Sequence, residues 1–471
     1  MRKLNILVLV PLAACTVGPD YARPTVASGA EWVEPAAGGA VDPEPWRAMG
    51  DPVLAALIEA AVSANLDVRE ADARLREARA LRDAAAGRAL PDVAANASAT
   101  RQRLSENGQL PVASIPGFAR EFSLFDAGFD ASWEIDLWGG TRRAVEAAAR
   151  RVAAADARRR ETRLQVVAEV ARTYADLRGA QAELASVRGD AEAQRGIARL
   201  VRQRYEAGDA ARFDDARADA QALGAEAAIP DLEASVRGAV YRLALLTGRP
   251  PEGWREQLDT PAPLPTPPDL VAAGLRSDML RRRPDVAAAE AALAAATADV
   301  GVETANLFPR LTLIGSIGQQ ARNAGDLDAG GSTRFQFGPA LHWPIFAGGR
   351  IRAQIRAADA RADAAAISYE KAVLGALTDS ETAINRYAAA RAAARDLDAA
   401  RQQSAAALDL ARQRYRAGED DLVTLLTTQS QYSAADRAAN RAHVAAFQAH
   451  VALVKALGGG WRDAADAQPQ P

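Results

Sequence analysis

Few residues in this 471-residue chain could do chemistry, and their spacing argues against an enzyme. The three histidines are His342, His443 and His450, and the seven-residue gap between the last two does not match the i, i+4 spacing of zinc ligands on a helix. The segment Gly315–Gly318 lacks the Gly-x-Ser-x-Gly spacing of a nucleophile elbow. The sequence contains no Walker-type phosphate loop. We therefore expect no catalytic residue, no metal and no cofactor.

Cys15 is the only cysteine, and the residues before it indicate its role. Arg2 and Lys3 form a basic start, Leu4–Leu12 is a short and largely apolar run, and two alanines precede the cysteine. This order predicts a lipoprotein signal peptide over residues 1–14, cleavage before Cys15 and acylation of its thiol. The alternative is an ordinary secretory peptide with an incidental cysteine.

Composition narrows the possible partners. The chain has 57 basic and 60 acidic residues, a net charge of -3, and no basic block flanked by aromatics, so we expect no nucleic-acid partner. Beyond the leader, the sequence has no run of 18 apolar residues, and a membrane-spanning part would therefore have to be a β-barrel.

The chain contains an internal repeat. Leu200–Gly208 recurs as Leu410–Gly418 at an offset of 210 residues, and both copies contain Arg-Gln-Arg-Tyr-x-Ala-Gly. A proline-rich stretch, Gly248–Pro268, lies between the copies, and its prolines predict that it forms no helix. This pattern predicts a tandem duplication joined by a connector.

Each copy contains two segments with strand periodicity. Asp126–Trp138 alternates between apolar and polar residues, and Phe335–Ile345 repeats the pattern. Shorter partners, Val93–Thr100 and Leu311–Ile317, precede them, which gives four strands per chain. A soluble sandwich would show the same alternation. A membrane barrel is favoured because the strands approach the roughly 9 to 11 residues that a tilted spanning strand needs, and three chains would supply a closed set of twelve.

Long helices accompany the strands. No proline interrupts residues 141–206 or 350–416, so each stretch predicts a helix of about 100 Å at about 1.5 Å per residue. Shorter helices return after Gly208 and Gly418, and Asp51–Ala89 and 284–307 supply further helices before the strand pairs. Pro230 is expected to break the first return helix. The predicted order begins with a signal peptide, 1–14, and a lipid-anchored extended segment, 15–50. The first repeat, 51–247, contains a strand pair, 91–138, a long helix, 141–206, and a return helix, 212–247. After a connector, 248–268, the second repeat, 269–457, contains a helix, 284–307, a strand pair, 309–346, a long helix, 350–416, and a return helix, 419–457, and a flexible tail, 458–471, follows.

Several motifs together resemble one family. Cys15–Tyr21, Leu280–Val286, Ala305–Pro309 and the paired Arg-Tyr-x-Ala-Gly segments resemble the outer-membrane factors of resistance-nodulation-division efflux systems, the TolC- and OprM-like lipoproteins of the NodT type. The resemblance implies a mainly α-helical homotrimer in the outer membrane, with a twelve-stranded barrel continuous with a long α-helical periplasmic tunnel. It also implies a periplasmic adaptor and an inner-membrane transporter as partners. Thr16 resembles the residue that follows the cysteine in lipoproteins sorted to the outer membrane.

The same resemblance implies a gate at the helix tips that carry Gly208 and Gly418. Asp214 and Tyr415 resemble an inter-helix pair that holds the closed state, and Val423 occupies the place of an apolar constriction. Tyr205 is the repeat counterpart of Tyr415. The alternative is that these residues simply end two long helices.

The constriction departs from the family pattern. Thr427 and Thr424 stand where relatives have acidic residues, so an acidic ring there is in doubt, and Asp420 and Asp421 are candidates to replace it.

The polar face of the second strand is a candidate channel lining. Asp130, Ser132, Glu134 and Asp136 would line the barrel and favour cations, unless this is merely a solvated face.

The sequence thus predicts a passive exit duct for small molecules in a tripartite efflux pump. One alternative is the duct of a type I protein-secretion system, which shares the fold but commonly lacks the lipid anchor. Another is a periplasmic adaptor or coiled-coil scaffold, for which we expect one helical hairpin and no strand pairs.

Overall fold

The computed structural model describes residues 16–26, 29, 31–35, 39, 42, 45–105 and 119–459. This part of the chain is mostly helical and contains one four-stranded antiparallel sheet. Cys15, the signal peptide and most of the predicted tail lie outside it. The helices are α1 Pro45–Ala48, α2 Pro52–Ala64, α3 Leu66–Gly87, α4 Gly140–Glu206, α5 Arg212–Glu226, α6 Ile229–Leu246, α7 Arg255–Leu258, α8 Arg276–Arg282, α9 Pro284–Ala305, α10 Arg350–Ala417 and α11 Leu422–Ala456.

The chain divides into two compact units that do not follow the sequence repeats. The sheet unit comprises residues up to 24, 75–154 and 289–369, and the helical unit comprises 25–74, 155–288 and 370 onward. Each unit therefore takes residues from both copies. The repeats are a property of the sequence, whereas packing gathers the strands of both copies together.

The sheet unit holds β1 Asp92–Arg103, β2 Glu121–Ile135, β3 Arg310–Ala321 and β4 Thr333–His342, which pair in the order β1-β2-β3-β4. The four predicted strands are therefore present. β2 and β4 end earlier than predicted, whereas β1 and β3 continue past the predicted ends at Thr100 and Ile317. After β2 the amide of Leu137 donates to Ile135 O at 2.8 Å, and after β4 the amide of Ile345 donates to Trp343 O at 3.0 Å. Both tight turns end the extended backbone that the alternation alone would have continued.

The described start of the chain is held at the beginning of α4. The Val17 amide donates to Trp138 O at 3.1 Å, and Arg143, only 4% exposed, donates to Val17 O at 3.3 Å and to the Asp20 carboxylate at 2.6 Å. A Cβ on Gly18 would lie 2.4 Å from Gly301 Cα, so this contact requires glycine. Residues 16–26 have no helix or strand, and the short helix α1 lies near the end of the segment 15–50 that was expected to be extended.

The predicted single helix over Asp51–Ala89 is wrong. Asn65 breaks it into α2 and α3 because its side chain accepts the amides of Asp67 and Val68 at 2.8 and 3.1 Å and thereby caps α3. The Asn65 amide group also donates to Leu246 O at 2.8 Å, which links this break to α6.

The long helices begin and end within one residue of the prediction, at 67 residues for α4 and 68 for α10. The first return helix is interrupted just before Pro230, as expected, and gives α5 and α6. The second return helix, α11, begins at Leu422 and not at Glu419 because the Asp421 carboxylate caps it.

The proline-rich connector is not free of helix, contrary to the prediction. Pro251–Trp254 forms a 3-10 turn that leads into α7, since proline is compatible with the first turn of a helix. Arg178, 2% exposed, donates to Thr260 O at 2.9 Å, and Gln181 donates to Leu258 O at 2.7 Å. The connector is thus hydrogen-bonded to α4.

The core of the helical unit contains an uncharged histidine. His450 is 1% exposed and lies between the rings of Trp46 and Tyr387, at centroid distances of 6.3 and 5.4 Å. Burial, and to a lesser extent the charge of Arg391, lower the pKa of His450 to about 4. Neither ring nitrogen has a hydrogen-bond partner among the described residues.

We expect His450 to make the fold acid-sensitive. The unfolded chain takes up this proton near pH 6.5 and the folded chain only near pH 4, so the stabilisation is present above pH 6.5 and is lost as pH falls towards 4, by on the order of 3 kcal/mol. His450→Phe should remove the contribution of His450 to the slope of the thermal unfolding midpoint against pH. Equal slopes for the two proteins would contradict the assignment.

Candidate functional site

The sheet presents one polar face, built by the even-numbered residues of all four strands. In register, Ser98 faces Asp126, which faces Gln320, and Asp130 faces Ser316. Side chains of residues directly opposite in an antiparallel pair point to the same side of the sheet. The polar residues of the two sequence repeats therefore share one surface.

An ion pair crosses this face. The Arg334 guanidinium on β4 donates to both carboxylate oxygens of Asp126 on β2, at 2.7 and 2.5 Å. The Gln320 amide on β3 donates to the same carboxylate at 2.8 Å. The alternation of Asp126–Trp138 places Asp126 on the polar face, but the sequence does not show that Asp126 pairs with Arg334, because 208 residues separate them along the chain.

Of the four predicted lining residues, three lie on this face. Asp130 accepts from the Asn96 amide at 2.6 Å, and Ser132 and Glu134 follow along β2. Asp136 lies beyond the end of β2, where its carboxylate accepts from the Arg142 amide at 2.9 Å. It therefore caps the start of α4 and is not part of the strand.

The helical unit ends in two similar tips. Gly208 and Gly418 have φ values of 83° and 78°, which only glycine adopts readily. Each closes its long helix with the same pair of backbone hydrogen bonds, for example from Gly208 to Tyr205 O at 3.0 Å and from Asp209 to Arg204 O at 2.8 Å. The repeated Arg-Tyr-x-Ala-Gly sequence thus encodes a helix end and a reversal.

The two tip tyrosines have unlike surroundings. Tyr415 is 6% exposed, whereas Tyr205 is 36% exposed. The Arg204 guanidinium lies over the Tyr415 ring at 5.5 Å. Tyr415 belongs to an apolar cluster that joins α4, α5, α10 and α11, here called the tip cluster: Ile197, Ala198, Val201, Ala218, Ala222, Leu408, Ala411, Tyr415, Leu422, Leu425 and Leu426.

The predicted pair of Asp214 and Tyr415 is not formed in this structure. Within the part of the chain that is described, no hydrogen bond joins these side chains. The next residue, Asp215, is 8% exposed and accepts from Arg202 Nε at 3.1 Å. That hydrogen bond raises the pKa of Arg202. Asp215 therefore ties α5 to α4, a contact that sequence reasoning missed.

The acidic residues of the second tip are engaged within the chain. Asp420 binds Arg414 at 2.9 Å, and Asp421 accepts from the Thr424 amide at 2.7 Å. The hydrogen bonds from Thr424 hold the pKa of Asp421 below its usual value. Val423 is 43% exposed and Thr427 is also exposed on the same helix. The exposed surface of α11 near its start thus presents the apolar side chain of Val423 and the hydroxyl group of Thr427.

The described residues contain no group of three or more His, Cys, Asp or Glu side chains that could hold a metal ion. Nor does any described helix combine the length and apolar character needed to cross a membrane.

Comparisons with known proteins agree on one kind of protein. The sequence profile of the outer membrane efflux protein family matches residues 57–249 and 275–459, once in each repeat. The pyoverdine export outer membrane protein OpmQ of Pseudomonas putida is 34% identical over 98% of both chains. The solved outer-membrane channel OprN is 37% identical, with a TM-score of 0.87 over 95% of this chain and 100% of its own. The open state of the Neisseria gonorrhoeae MtrE outer membrane channel is 30% identical, with a TM-score of 0.83 over 95% and 98%.

Proposed function

This chain belongs to the outer membrane efflux protein family and is an outer-membrane channel of an efflux system, and we propose that three copies form the passive exit duct of a tripartite pump. In this proposal the duct carries small molecules from the periplasm and from an inner-membrane transporter of the resistance-nodulation-division class to the outside. A periplasmic adaptor connects the duct to the transporter.

The proposal rests on one observation, the two open edges of a sheet with unlike faces. β1 and β4 are the outer strands, and within the described residues neither pairs on its outer side. The odd-numbered face is apolar and exposed, with Phe335 at 71%, Phe337 at 80% and Leu341 at 68%. Apolar surface of this size favours lipid, where each unpaired backbone group costs several kcal/mol. Pairing β4 of one copy with β1 of the next removes every edge, and three copies give a twelve-stranded barrel.

The described start of the chain supports a lipid anchor at Cys15 in the same membrane. Thr16, which follows the proposed acylation site, packs against Gly139 just after β2. Trp133 and Trp343 donate their indole N–H to Ala89 O and Leu307 O at 2.9 and 3.1 Å. Tryptophans with one apolar and one polar side are typical of a membrane interface.

An efflux assay in the host bacterium tests the function. Deleting the gene should raise retention of a fluorescent efflux substrate, and the plasmid-borne wild-type chain should reverse the effect. Secretion of a type I protein substrate should be unchanged by the deletion. Unchanged dye retention in a host that lacks its other efflux ducts would contradict the proposal.

A further inference from the structure

The Arg334 side chain reaches Asp126 across a part of the sheet where the neighbouring strands carry glycine. Gly318 lies opposite Arg334 in the register, and Gly128 lies opposite Gly318. Two neighbouring strands thus carry no side chain between Arg334 and β1. The long guanidinium side chain crosses β3 and binds Asp126 on β2. Arg334 Nη1 also lies 3.4 Å from the Ser316 hydroxyl.

The charges of the polar face are unevenly placed along the strands. Arg334 is the second residue of β4, so its pair with Asp126 lies at the end of the sheet where β3 connects to β4. Towards the helices, the strands carry the acidic residues Asp130, Glu134 and Asp92, and Arg310 is the basic residue there. At the connected end Arg334 balances Asp126, and Arg322 lies over the ring of Phe122 on the same face at 4.7 Å, whereas the helix end is acidic.

We propose that Arg334 is a selectivity-determining residue of the duct, which keeps its exit open to anionic molecules by neutralising Asp126. This inference rests on the proposed trimeric duct. In the trimer, Arg334 and Asp126 form a ring of three ion pairs around the exit. Without the guanidinium the ring becomes three carboxylates, which repel carboxylated or otherwise anionic cargo. Rings of charged side chains set ion selectivity in this way.

Reversal potentials in planar bilayers test the inference. The full-length trimer is recorded in a KCl gradient with Tyr415→Ala present throughout, so that a closed tip does not dominate the current. Arg334→Gln should raise the potassium-to-chloride permeability ratio about threefold, and Asp126→Asn should lower it about threefold, in dilute salt where screening is weak. The charge-swapped protein, Asp126→Arg with Arg334→Asp, should return to the ratio of the unswapped channel.

Arg101→Gln is the matched control. Arg101 is on the opposite, odd-numbered face of β1, and its side chain is 77% exposed. Arg101→Gln therefore removes one positive charge, as Arg334→Gln does, but removes it from the outer surface of the barrel. It should leave the ratio unchanged.

Two failures can be told apart. If the channels conduct but Arg334→Gln and Asp126→Asn leave the ratio unaltered, or if Arg101→Gln shifts it as much as Arg334→Gln, the selectivity role is overturned and the duct stands. If none of the variants conducts and the purified protein is monomeric in detergent, the proposed duct itself is overturned.

Discussion

Replacing Tyr415 with alanine is expected to raise the ratio of open to closed channels about tenfold, and with it the mean current, which corresponds to a shift of about 1.4 kcal/mol towards an open tip. Tyr415 is buried in the tip cluster, which packs the tip of α4 and α5 against that of α10 and α11. Removing a buried aromatic ring typically costs about 3–5 kcal/mol of packing, so part of that loss is enough to free the tips. Single-channel recording in planar bilayers measures the effect.

Two control variants test whether the buried ring of Tyr415 itself holds the tips together. Tyr415→Phe keeps the ring and removes a hydroxyl that has no hydrogen bond in the described part of the chain, so it should conduct like the wild type. Tyr205→Ala removes the repeat counterpart, which is 36% exposed and outside the tip cluster, and should also change little. A tenfold increase with Tyr205→Ala, or none with Tyr415→Ala, would show that the cluster does not hold the tips.

Cysteines placed on the two outer strands are expected to join the protein into covalent trimers. Ala97 is near the middle of β1, and Phe337 is near the middle of β4 on the same odd-numbered face. Under the proposal these strands meet between neighbouring copies, whereas within one chain β2 and β3 separate them. Under the proposal Cys15 is acylated and offers no free thiol, so the unsubstituted protein should not react. A short bismaleimide can join the cysteines at positions 97 and 337 even where they are not directly opposite each other in neighbouring copies.

Local patterns predicted much of this fold. The alternation of Asp126–Trp138 identified β2, and the proline-free stretches identified both long helices to within a residue. Gly208 and Gly418 were recognised as reversals because a positive φ requires glycine. Each of these features depends on residues close together in the chain, which is why sequence alone reveals them.

The errors lie where distant residues decide the outcome. Asn65 looks like an ordinary polar position in one long helix, and it breaks the helix partly because its side chain meets Leu246 O. Asp214 and Asp215 are adjacent, but successive helix residues point about 100° apart. The placement of Arg202 on α4 selects Asp215 as its partner.

Cross-linking of Ala97→Cys with Phe337→Cys in intact outer membranes, followed by denaturing electrophoresis, decides whether the duct is a closed trimer. A closed trimer gives bands for one, two and three chains and none beyond three, since a closed ring of three has no free edge. Proteins that carry either cysteine alone should remain single chains. A ladder that continues past three, or a doubly substituted protein that stays monomeric with both thiols unreacted, would contradict the closed trimeric duct.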